Sequence, residues 1–166
     1  MLAELLFCLQ TEKMMTIELS TNVQHALETG DLNTAVILLI EFRVGCGYSR
    51  SQQRSLLETY RALFSWSIDH QTPLPSIILD NDMDSTEGAL INQALIELVI
   101  SSVGHTKSDA VASLCEQMCR SIVRHGKTLE QVVQRWAEQG VPPLLLARRH
   151  YFNTVREKHF MADLGL

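Results

Sequence analysis

The chain has 166 residues, 46% of them hydrophobic and 20% charged, with a formal net charge of −5. That is the size of one domain, too apolar for a disordered segment, and its eight Gly and four Pro are too few for collagen or a low-complexity linker. A chain of this length buries roughly two-thirds of the surface its unfolded form exposes, so it needs neither disulfides nor metal to fold.

Helix signals run along the chain in order. A short helix is expected over Ser20–Glu28, ending at Gly30. Asp31 then caps a helix reaching about Gly45. Its interior, Ala35-Val36-Ile37-Leu38-Leu39-Ile40, is apolar all round, which predicts a central position. The same stretch suits a strand, because Ile40-Glu41-Phe42-Arg43-Val44 alternates. Ser49 and Gln52 have the spacing of a capping box. Leu56, Leu57, Tyr60, Leu63, Phe64 and Ile68 follow as one apolar stripe. Trp66, Tyr60 and Phe64 belong to a core on this spacing, not to a base-stacking platform. Pro73 and Pro75 stop that helix and open a loop to Met83, inside which Ile77–Leu79 reads as a short strand or a hydrophobic tether.

Asp84-Ser85-Thr86-Glu87 restarts a helix, and Ala89–Val103 is apolar on nearly every face. Gly104 closes it. Thr106–Asp109 opens the next, with Val111, Leu114, Cys115, Met118, Cys119 and Ile122 on one stripe, and Gly126 ends it. Thr128 and Gln131 make a second capping box, leading Val132, Val133 and Trp136 up to Gly140. Pro142-Pro143 opens a last helix from about Leu144 to His159, since Pro is tolerated in a first turn. The expectation is an all-α fold: a single compact bundle of six or seven helices over 1–166, with two largely buried central helices at about 33–45 and 86–103. Translation starting at Met14 or Met15 instead of Met1 would make residues 1–13 an N-terminal extension; the sequence leaves that choice open.

No stretch has the form of a secretory signal, and no apolar run nears the roughly 20 residues of a membrane helix. Cys8, Cys46, Cys115 and Cys119 therefore read as reduced thiols of a cytoplasmic protein without membrane partners. The charge is split. Residues 1–119 carry six Lys+Arg against fifteen Asp+Glu, a charge of −9, while residues 120–166 carry eight against four, a charge of +4. A basic end of this kind fits a nucleic-acid contact, a self-complementary surface in a homo-oligomer, or a solvated face.

Candidate chemistry is sparse. Asp80-Asn81-Asp82-Met83-Asp84 begins like a calcium loop, but that motif needs Gly at its sixth position and Glu at its twelfth, where Ser85 and Ile91 stand. Cys115 and Cys119 could share a metal only with two further ligands, and both fall on the apolar stripe, so no metal or cofactor is expected. None of the six histidines lies in an HExxH pattern, and no nucleophile elbow or phosphate-binding glycine loop occurs. The strongest candidate is 128–159, which has the outline of a helix-turn-helix. Against DNA reading, Trp136 stands where a small residue is needed and two prolines open the would-be recognition helix. The expected function is a non-enzymatic interaction protein, an adaptor, inhibitor or regulatory subunit. A DNA-binding regulator using 128–159 is the alternative, and an enzyme with a site assembled from scattered residues is a weaker third. Arg148, Arg149, Tyr151, Phe152, Arg156 and Lys158 are the residues expected to meet the protein partner or DNA.

Overall fold

A computed structural model describes residues 2–3, 19–102, 108–146 and 149–152. Arg148, Arg156 and Lys158 lie outside them, as do Gly104 and most of the proposed N-terminal extension. The described residues are mainly helical, with no strand among them. They divide into two compact units, Met1–Trp66 and Ser67–Leu166.

The first unit contains α1 (19–28), α2 (Leu32–Arg43) and most of α3 (Arg50–Asp69), which runs on into the second unit. A Schellman closure ends α1: Gly30 N–H donates to Leu27 O at 3.0 Å and Asp31 N–H to Ala26 O at 2.8 Å. Asp31 then caps α2, its carboxylate accepting from Thr34 N–H at 3.0 Å. These Thr34 hydrogen bonds hold the Asp31 carboxyl below its ordinary value. The helical alternative is the one that forms, ending at Arg43 with Val44 as its extended C-cap, but α2 is not largely buried. Only Ala35, Val36 and Leu39 of its twelve residues are buried, and Ile37 is 54% exposed. An all-apolar stretch says nothing about how many faces find a neighbour.

The Ser49 capping box forms as expected. Ser49 Oγ accepts from Gln52 N–H at 3.2 Å, and Gln52 Oε1 accepts from Ser49 N–H at 3.0 Å. On α3, Leu56, Tyr60, Leu63 and Phe64 are completely buried. Tyr60 and Phe64 stack with ring centroids 6.0 Å apart. Arg43 Nε donates to Tyr60 Oη at 3.0 Å, with its guanidinium carbon 5.5 Å from the ring centre.

The second unit continues with α4 (Ser76–Leu79), α5 (Thr86–Ser102), α6 (Ser108–Val123) and α7 (Leu129–Glu138). Two 3-10 turns come next, Pro143–Leu146 and His150–Phe152. The Ile77–Leu79 stretch is one helical turn, not a strand, and it tethers the loop by completely burying Ile78 and Leu79. α5 is the central helix foreseen, burying Leu90, Ile91, Asn92, Ala94, Leu95, Ile96 and Val99. α6 packs against α4, α5, α7 and the first 3-10 turn. All six residues of its expected stripe are at most 3% exposed.

The Thr128 capping box starts α7, with Gln131 N–H to Thr128 Oγ1 at 3.2 Å and Thr128 N–H to Gln131 Oε1 at 2.9 Å. A second Schellman closure ends it: Val141 N–H reaches Trp136 O at 3.0 Å and Gly140 N–H reaches Ala137 O at 3.1 Å. Gly140 there has φ +107°, which favours glycine. Beyond Gly140 the structure departs from the sequence expectation. In place of an α-helix from about Leu144, Pro143–Leu146 and His150–Phe152 form two 3-10 turns; residues 147–148 and 153–159 of the expected helix lie outside the described residues. Leu146 and Phe152 are both buried, at 2% and 1%.

Candidate functional site

The α5–α6–α7 side of the second unit is organised by the acidic loop. Asp82 O approaches α5 so closely that a Cβ on Gly88 would lie 1.9 Å from it, so only glycine fits. The carboxylates of the loop are occupied. Asp80 Oδ1 lies 2.7 Å from His125 Nε2, and Asp82 Oδ1 accepts from Asp84 N–H at 3.0 Å. Asp84 pairs with Lys127 at 2.7 Å and Arg135 at 2.9 Å. Lys127 first, and then Arg135, hold the Asp84 carboxyl below its ordinary value. Among the described residues no three His, Cys, Asp or Glu converge as metal ligands. Cys115 and Cys119 are buried, which raises both thiols to about 12; Cys119 adds to the effect at Cys115. They belong to the core.

A groove of about 370 Å³ opens beside Ala89, Gln93, Ile96 and Arg135. Asn92 lines it as well and belongs to a buried network in which Trp136 Nε1 donates to Asn92 Oδ1 at 3.1 Å and Asn92 Nδ2 to Gly88 O at 2.7 Å.

The feature that gathers a residue singled out in the sequence is a cleft of about 350 Å³ along α6. Asp109, Ala110, Ser113, Leu114 and Gln117 line it from the helix, Ser67 and Gln71–Pro73 from the end of α3 and its turn, and Arg149 from the C-terminal segment. At about 100° per residue, Asp109 and Glu116 lie at one edge of this helical surface, Gln117 and Leu114 toward the other, and Ser113 between. The contacts agree. On one side Arg149 Nη2 donates to Asp109 O at 3.1 Å, with Arg149 Nε 3.7 Å from Glu116 Oε2. On the other, Gln117 Nε2 donates to Leu74 O, tying the α3–α4 turn to α6. That turn is closed by Thr72 N–H to Ser67 O at 3.0 Å and by Ser67 Oγ donating to Thr72 O.

Of the expected contact residues, Arg149 is part of the cleft, its side chain about one-third exposed. Tyr151 is half-buried beside it, with the Arg120 guanidinium carbon 4.1 Å from its ring centre. Burial, with Cys119 and Glu116 adding to it against Arg120, raises the Tyr151 phenol above its ordinary value. Phe152 is a correction: at 1% exposure it is a core residue, edge-on to Tyr151, and it anchors the segment instead of offering a contact. Sequence reasoning missed Gln71, Thr72, Ser113 and Gln117. Asp109, Ser113 and Gln117 were visible as an i, i+4, i+8 polar row opposite the stripe. What the sequence did not show is that the α3–α4 turn and Arg149 wall that row in.

No family model matches the chain, and no curated protein and no solved structure is significantly similar to it. Among the described residues, no helix is long and apolar enough to cross a membrane.

Proposed function

We propose that the chain is a non-enzymatic interaction protein of the cytoplasm, an adaptor, inhibitor or regulatory subunit, and that it receives a protein partner at the α6 cleft. The observation that carries this reading is the placement of Arg149. A guanidinium from the basic C-terminal part lines an open cleft whose other polar groups are mainly hydroxyls and amides. Hydroxyls and amides make the hydrogen bonds a polypeptide backbone offers, and arginine is enriched where protein interfaces concentrate their binding energy.

The chain beyond Gly140 favours a protein partner over DNA. A recognition helix would begin there, and among the described residues Pro143–Leu146 and His150–Phe152 form 3-10 turns. Among the described residues, Arg120 on this side is engaged with Glu116 at 3.0 Å and with the Tyr151 ring.

The test is affinity capture from an extract of the native cell on immobilised full-length protein, with Arg149→Ala at equal loading. The expected result is a protein retained by the wild type and lost from the variant, unchanged by nuclease. Retention that nuclease abolishes would replace this reading with the DNA one.

A further inference from the structure

We infer that the cleft along α6 recognises a carboxylate carried by an extended segment of the partner polypeptide, held between the Arg149 guanidinium and the Ser113 hydroxyl. This rests on the reading of the chain as an interaction protein and names the chemistry of its partner.

The first support is electrostatic. Glu116 faces Arg149, but its better bond is to Arg120, at 3.0 Å; its distance to Arg149, 3.7 Å, is beyond hydrogen-bond length. Glu116 is therefore neutralised mainly by Arg120, and Arg120 is in turn held over the Tyr151 ring. Asp109 lines the cleft as well, and Arg149 Nη2 is fixed on its carbonyl oxygen. That bond sets the guanidinium plane in advance. A planar fork oriented before binding suits the bidentate geometry of a carboxylate, which a lysine ammonium cannot reproduce.

The second support is shape. Asp109, Ser113 and Gln117 stand at successive i+4 steps, so the floor they mark is about 12 Å long. An extended chain of about four residues has that length. Ser113 is exposed midway along the floor, Gln71 is exposed on the wall opposite Arg149, and Pro73 gives that wall an apolar rim. A lone carboxylate would need only the Arg149 end; the length and the amide-bearing wall suit a polypeptide.

The test uses 15N-labelled full-length protein, following the amides of Asp109, Ser113 and Gln117 and the Arg149 Nε–H. Three pools of random acetylated tetrapeptides are titrated: one with a free C-terminal carboxylate and no Asp or Glu, one identical but amidated, and one amidated with a single Glu. Succinate is titrated alongside. The expected result is that one or both carboxylate-bearing pools shift these signals, which tells a terminal from a side-chain source, with the neutral pool at least about tenfold weaker. Arg149→Ala should remove the response, and Arg149→Lys should weaken it about tenfold while the unliganded spectrum stays native. Arg135→Ala, on the other side of α6, should leave it unchanged.

Equal binding of the neutral pool, binding of succinate as tight as that of the peptides, or no shift from any pool would each overturn the inference. A cellular partner lost with Arg149→Ala while no pool shifts the cleft would leave the interaction reading standing and the carboxylate wrong.

Discussion

Along α6, Val111, Leu114, Cys115, Met118, Cys119 and Ile122 are each at most 3% exposed, while Asp109, Ser113 and Arg120 on the same helix face solvent. The inner face meets α4, α5, α7 and the first 3-10 turn. Among the described residues the outer face meets what reaches over it: Gln117 ties down the α3–α4 turn, Arg149 crosses the opposite edge, and Arg120 meets the Tyr151 ring. The two faces are not independent. With six apolar residues fixed inward, the rotation of the helix is set, and Ser113 then has to look out between Arg149 and the turn. The floor of the candidate site is a consequence of the core behind it.

That comparison predicts a large asymmetry in stability. Met118 is completely buried and has Asn81 Nδ2 3.6 Å from its sulfur. Met118→Ala should cost about 2–5 kcal/mol, the range for removing a buried side chain of this size. Ser113→Ala, one and a half turns away on the outer face, should stay within about 0.5 kcal/mol. Urea unfolding of the two variants checks this, and equal costs would break the distinction between the faces.

A smaller effect sharpens it. Burial places the Cys115 and Cys119 thiols at about 12, so both should resist iodoacetamide at pH 8 in the folded protein and react only in denaturant. Partly exposed Cys46 should react without denaturant. Peptide mapping by mass spectrometry reads all three. Labelling of Cys115 at the rate of Cys46 would mean that the inner face opens readily.

The parts of the fold legible in the sequence are those decided by neighbours a few residues apart. Asp31, Ser49 with Gln52, and Thr128 with Gln131 all make the caps their spacing announces, and the α6 stripe is buried as its period requires. The failures are the places where distant parts of the chain decide. α2 is as apolar as α5 in composition, yet Ile37 and Ile100 are both about half exposed, and α5 buries far more of its residues. Pro142-Pro143 permits an α-helix, but Pro143–Leu146 and His150–Phe152 form 3-10 turns that bury Leu146 and Phe152, which no local signal specifies. The site divides the same way. Arg149 was legible as a cation and Ser113 and Gln117 as a polar row, but one wall of the cleft is a turn much earlier in the chain, bonded through Leu74 O to Gln117.

The measurement closest to the central claim is photo-crosslinking from position 113. Benzoylphenylalanine placed there, in full-length protein mixed with an extract of its own cell, should on irradiation form a covalent adduct with a polypeptide, and Arg149→Ala should suppress it. The same probe at Gln93, which lines the other groove, should give no such adduct. Equal adducts from positions 113 and 93, or an adduct indifferent to Arg149, would contradict the assignment of the α6 cleft as the partner site.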